Sequence, residues 1–243
     1  MGVALSVKNI SKNYKDVTAV AGVSLTVNEG ELISLLGENG AGKSTLIKML
    51  CGLVPPSGGD AEIFGASVVG SVEKIRSFTG IAPQETAVMG GLTVKENLRF
   101  VCGLYGFDRQ KTDEKCEEII NLFGLNDYAL KRAARLSGGM QRRLGIAMAI
   151  ISEPKILFLD EPTVGLDVRA RKELWEVIVK LKESNVTVFL TTHYMEEAEA
   201  LSDRVAIMDR GKIIANGTTE EIKRFTGKQT LEDAYLALTE ERV

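Results

Sequence analysis

The chain has 243 residues, 44% hydrophobic and 26% charged, with a net charge of -3 and a sequence pI near 5.5. That is enough apolar material for one large domain with a proper core, and no basic excess marks a nucleic-acid or lipid-binding face, so no nucleic-acid partner is expected. No stretch approaches the ~20 apolar residues of a membrane span and no basic-then-apolar leader opens the chain, so any work at a membrane is expected to go through a partner.

In chain order, Val3, Leu5 and Val7 alternate with Ala4, Ser6 and Lys8, and Val23, Leu25 and Val27 alternate with Ser24, Thr26 and Asn28. This period of two predicts strands with one buried face, antiparallel and near an edge. Residues 32–36, 156–159 and 186–190 are instead almost continuously apolar, as in parallel strands covered on both faces. Helical patterns follow each, over 43–51, 168–184 and 195–201, and the alternation predicts an α/β fold with right-handed crossovers. Between these, 93–105 and 112–123 read as helices with no strand signal. Residues 91–134 are therefore expected to form a helical subdomain inserted into an α/β core of 1–90 and 135–243. Two short amphipathic helices, 219–225 and 231–238, are expected at the end. Cys51, Cys102 and Cys116 are odd in number and lack CxxC spacing, which fits a reducing compartment and three small buried hydrophobes.

Gly37-Glu38-Asn39-Gly40-Ala41-Gly42-Lys43-Ser44-Thr45 matches GxxxxGK[ST] directly after a buried strand and at the start of a helix. Glycines let a loop wrap phosphate with its backbone N–H groups, and the helix N-terminus adds positive potential. Lys43 is expected to reach the β- and γ-phosphates and Ser44 to ligate Mg²⁺. A glycine turn before an ordinary helix is the plain alternative, and the strand-loop-helix context disfavours it. Asp160 and Glu161 end another buried strand, where ligands of open α/β sheets sit. Asp160 is expected to hold Mg²⁺ and Glu161 to act as general base on water; a second acid beyond the metal ligand points to hydrolysis as well as binding.

Leu136-Ser137-Gly138-Gly139-Met140-Gln141 stands between these two motifs. The three together resemble the ATP-binding cassette family, whose signature is LSGGQ-like; here Met140 replaces the commoner Gln. The resemblance runs from Leu5 to about Gly217 and implies a P-loop NTPase, RecA-like core with an N-terminal antiparallel region and the helical insertion. It implies that Gln84 senses Mg²⁺ or attacking water. It also implies that His193, the sole histidine, contacts the γ-phosphate and that Tyr14 stacks on adenine. Asp167 takes the D-loop position, although Val164-Gly165 stands where Ser-Ala is commoner. The family works as a head-to-tail pair of cassettes, identical or not, in which ATP also meets Ser137, Gly138 and Gly139 of the second chain. A transporter ATPase of this type is peripheral on the cytoplasmic face of the membrane through an integral membrane subunit. Residues 161–167 and 231–236 resemble the branch serving drug, antibiotic, ion and polysaccharide or lipid exporters. Two other readings share the ATP motifs: a soluble cassette ATPase of translation or DNA repair, and a nucleotide switch without turnover.

Overall fold

The computed structural model describes residues 2–240. Its centre is a six-stranded sheet. Strands β3 (Leu32–Leu36), β6 (Thr79–Ala82), β7 (Ile156–Asp160), β8 (Thr187–Thr192) and β9 (Arg204–Asp209) run parallel, and β10 (Lys212–Gly217) closes one edge antiparallel to β9. The order is β10-β9-β3-β8-β7-β6. Only two residues join β9 to β10, Arg210 at φ 44° and Gly211 at φ 79°, the paired left-handed conformation of a tight primed turn.

Both faces of this sheet are covered, which explains the unbroken apolar runs. Along β7, Ile156 and Phe158 enter one core while Leu157 and Leu159 enter the other; in β3, Ile33 and Leu35 face the first and Leu32 the second. The first core lies between this sheet and a four-stranded antiparallel one. That second sheet is built from β1 (Val3–Tyr14), β2 (Val17–Asn28), β4 (Gly58–Ile63) and β5 (Ala66–Ser67), in the order β2-β1-β4-β5. Helix α1 (Lys43–Leu50) packs into the same core through Leu46, Ile47, Met49 and Leu50.

The second core gathers α3 (Val94–Leu104), α4 (Arg109–Leu122), α5 (Gly138–Ala149) and α6 (Val168–Glu183). Among the described residues from 91 to 134 there is no strand, only α3, α4 and two short 3-10 turns. Helix α4 starts three residues earlier than the 112 expected, because the Asp108 carboxylate accepts from the Lys111 N–H at 2.8 Å and caps it. A third, smaller cluster joins α7 (Met195–Leu201), α8 (Thr219–Thr226) and α9 (Leu231–Glu240) to β9. Helix α2 (Val72–Phe78) leads into β6. Among the described residues no helix is long and apolar enough to cross a membrane.

Candidate nucleotide-binding and hydrolysis site

Four parallel strands end around one cleft. After β3 comes the glycine loop, after β6 Gln84, after β7 Glu161, and after β8 His193. The cleft, about 360 Å³, is lined by Ala19 of β2, by Asn39, Gly40, Gly42, Lys43, Ser44 and Thr45, and by Gln84 and Glu161. It opens at the carboxyl ends of the strands, where an α/β sheet presents its ligand.

Glycine is required in the loop. A Cβ on Gly42, at φ 106°, would sit 2.3 Å from the Ala19 carbonyl oxygen, and one on Gly37 equally close to that of Met208. Helix α1 therefore begins at a residue without a side-chain cap, leaving its first N–H groups for an anion. Glu38 and Asn39 form the exposed tip, and Ala41 is buried beneath it.

Lys43 is 4% exposed and its ammonium is fully engaged. It donates to the Gly37 carbonyl at 2.7 Å and to the Glu38 carbonyl at 3.0 Å, and pairs with Glu161 Oε1 at 3.1 Å. The other Glu161 oxygen, Oε2, lies 3.3 Å from Gln84 Nε2 and 3.4 Å from His193 Nδ1. Glu161 itself adopts φ 47°, uncommon for a side chain of its size. Its N–H donates to the Thr191 carbonyl at 3.1 Å and lies 3.0 Å from Thr191 Oγ1. The neighbouring Asp160 Oδ1 accepts from Thr191 Oγ1 at 2.6 Å and from Ser44 Oγ at 3.1 Å.

The sequence profile of the ABC transporter family matches residues 20–164. Over 228 residues, 94% of this chain and 69% of the relative, it is 42% identical to the daunorubicin/doxorubicin resistance ATP-binding protein DrrA of Streptomyces peucetius. The chain belongs to the ABC transporter family. It is also 40% identical, over 93% of its length and 73% of the relative's, to the linearmycin resistance ATP-binding protein LnrL of Bacillus subtilis. A dimeric ATP-binding cassette solved in a post-hydrolysis state with ADP and Pi matches 88% of this chain and 98% of its own, at 27% identity and TM-score 0.80. The chain is thus an ABC ATPase, a subunit whose hydrolysis of ATP powers transport across a membrane; the non-transport reading of the sequence is the less favoured one.

The other family positions fall outside the cleft. Exposed Ser137 opens α5, its Oγ accepting from the Met140 N–H at 3.3 Å, with exposed Gly138 beside it. Asp167 caps α6, accepting from the Ala170 N–H at 2.9 Å. These two ABC segments abut, for a Cβ on Gly139 would meet the Ala170 Cβ at 2.9 Å. Tyr14 ends β1 opposite Val17, half exposed, with Lys12 Nζ 5.2 Å from its ring centre.

Sequence reasoning passed over two residues that build this ABC site. Thr191 links Asp160 to the Glu161 backbone; it read only as part of the strand end that precedes His193. Arg142, buried in α5, donates Nη1 to the Pro83 carbonyl at 2.8 Å and Nη2 to the Glu161 carbonyl at 3.2 Å. Burial pulls its pKa down, and the charges of Asp160 and Glu161 oppose that pull. Nothing in the run Gln141-Arg142-Arg143 distinguishes it from a surface cation.

Among the described residues no three His, Cys, Asp or Glu side chains cluster as a metal cage. The pair Ser44 Oγ and Asp160 Oδ1 offers two hard oxygens beside the phosphate loop, which suits Mg²⁺, an ion that keeps waters and shares itself with substrate phosphates.

Proposed function

We propose that this ATPase drives export of drug- or antibiotic-like compounds through a separate integral membrane subunit, working as one of a head-to-tail pair of cassettes. One observation carries the reading. Lys43, Gln84 and Glu161 line one cleft with His193 against Glu161, whereas the segment Ser137-Gly138-Gly139 lies outside it, with Ser137 and Gly138 exposed as the nucleotide of a second chain would require. The names of the two resistance relatives support the cargo class.

In this reading the loop amides and Lys43 bind the triphosphate, Tyr14 stacks on adenine and His193 contacts the γ-phosphate. Glu161 accepts a proton from the attacking water as the β–γ bridging bond breaks, giving ADP and phosphate, with Gln84 orienting that water. Ser44 and Asp160 would hold Mg²⁺, which when bound neutralises phosphate charge. Asp167 and the Ser137 segment complete the site across the pair. Residues 91–134 act as the helical subdomain that receives the membrane subunit, and exposed Phe100, Leu104 and Tyr105 give it an apolar surface to do so. The chain is then peripheral on the cytoplasmic face.

The test is affinity purification of the tagged chain from solubilised membranes, followed by phosphate-release assay. A stoichiometric integral membrane protein that co-purifies and stimulates hydrolysis is the expected result. An active ATPase found only in soluble fractions, without such a partner, would return the non-transport reading to first place.

A further inference from the structure

Arg142 is a buried cation in an unusual setting. It is 6% exposed, and among the described residues no carboxylate lies within ion-pair distance of it; its hydrogen-bond acceptors are two main-chain carbonyls. Burying a guanidinium with only neutral hydrogen-bond acceptors is costly even with the charges of Asp160 and Glu161 nearby to offset part of it, and an apolar side chain of similar volume packs a core at lower cost. Something other than packing is served by an arginine here.

The two carbonyls identify what that is. Pro83 directly precedes Gln84, just past the end of β6; Glu161 directly follows β7, and these strands pair through Ala82 and Leu159. The guanidinium fork, with donors in a fixed plane, thus spans the two backbone points from which the Gln84 amide and the Glu161 carboxylate project to meet at 3.3 Å. The Pro83 and Gln84 side chains are exposed and the segment around them carries little packing of its own. Glu161 stands in the left-handed backbone region at φ 47°, a conformation that persists only when its surroundings hold it. The arm that reaches both comes from α5, the helix that begins at Ser137-Gly138-Gly139.

We infer that Arg142 is a positioning residue for hydrolysis: its fork holds the backbones of Pro83 and Glu161 so that Gln84 and Glu161 stay aligned, and it ties their alignment to the start of α5. This rests on the proposed roles of Gln84 and Glu161. Among the described residues Arg142 makes no hydrogen bond or ion pair with the glycine loop or Lys43, so its contribution falls on turnover and not on nucleotide binding. A displacement of α5 is delivered to both residues together.

The test compares wild type with Arg142→Lys, which keeps the charge but replaces the planar fork with a point donor, and Arg142→Met, which removes both. ATP affinity is read by calorimetry, turnover by phosphate release, folding by thermal melting, and the ring of the sole histidine by nitrogen-edited NMR. Both variants are expected to lose about 10- to 100-fold in kcat, the scale of a misplaced catalytic group, with Kd for ATP within about threefold of wild type. The His193 ring signal should move in Arg142→Lys, because that ring faces Glu161 Oε2 at 3.4 Å. This last reading needs no activity, so it stands even if the hydrolysis assay contradicts the proposed roles of Gln84 and Glu161. A folded Arg142→Lys with wild-type kcat and an unmoved His193 signal would overturn the inference. So would a loss of ATP affinity as large as the loss of kcat.

Discussion

Glu161 is held from three directions by side chains that each have a separate reason to be there. Lys43 takes one carboxylate oxygen and Gln84 and His193 converge on the other. In the proposed function, where Lys43 binds the triphosphate, an incoming phosphate would compete with Glu161 for the ammonium. Glu161→Gln is expected to keep ATP binding while hydrolysis slows at least ~100-fold, because the amide keeps the shape but cannot take the proton. Bound-nucleotide and phosphate-release measurements on one preparation check it; near-normal turnover removes Glu161 from the role of base. The cysteines behave in the opposite manner. All three are buried, and burial, with Cys102 beside it, pushes the Cys116 thiol up to about 12; Cys102 and Cys51 are also raised, by burial first. With almost no thiolate near neutral pH, a thiol reagent should label none of them in the native protein and all three after denaturation. Fast labelling of the native chain would contradict their placement. At this scale, legibility tracked uniqueness. His193 was readable because the chain has one histidine and it follows a buried strand, whereas Arg142 was one of 30 Lys and Arg residues and its burial depends on where α5 lands.

Strands buried on both faces could be read directly, since β3, β7 and β8 each carry an apolar run that only a doubly covered sheet explains. Elements whose order comes from neighbours could not. Strand β4 begins Gly58-Gly59-Asp60, a turn-like run, and pairs because β1 lies beside it; β5 is two residues long. Helix α7 carries a further consequence of packing. Glu197 is fully buried, one oxygen accepting from Trp175 Nε1 at 2.9 Å and the other without a hydrogen-bond partner. Burial raises its pKa above the ordinary carboxylate value; the nearby Thr192 hydroxyl, the Trp175 hydrogen bond, the Thr163 hydroxyl and the charge of Arg171 oppose this. A carboxyl whose folded pKa is raised holds a proton that the unfolded chain releases. Its stabilising contribution is therefore complete below the unfolded value of about 4.3 and is lost as pH rises through the folded one. Glu197→Gln keeps an acceptor for Trp175 and removes the titration. Melting temperatures should then favour the variant increasingly from acidic to neutral pH; a constant difference between the two proteins would mean that Glu197 does not titrate in this window.

Taken whole, the chain carries a cleft and a signature segment that the proposed head-to-tail pairing would join across two chains. The cleft at the strand ends carries the phosphate loop, while Ser137 and Gly138 stand exposed at the start of α5 and do not line it. The sequence could place these motifs in order but not in space, because in the proposed pairing the cleft that a signature segment serves belongs to a second chain. A mixed pair tests this. One chain carries Lys43→Ala, which removes the proposed phosphate ligand; the other carries Ser137→Arg, which blocks the signature at the modest cost of one helix cap, about 1 kcal/mol. Each variant paired with itself has two damaged sites and should be nearly inactive. In the isolated mixed pair, one site collects both lesions and the other joins an intact Lys43 to an intact Ser137. ATPase activity should return to at most about half of wild type if two equivalent sites act independently. If each chain used its own Ser137, every site would stay broken. Strict coupling between sites could silence the intact one, so ATP-dependent crosslinking is read beside it. Asn39→Cys and Gly138→Cys on different chains suit a bifunctional thiol reagent. Both positions are exposed, a Cβ on Gly138 meets open space where one on Gly139 would strike Ala170, and the three native cysteines are buried. Neither rescue nor crosslinking would leave the head-to-tail pair without support and return both signature and phosphate loop to a single chain.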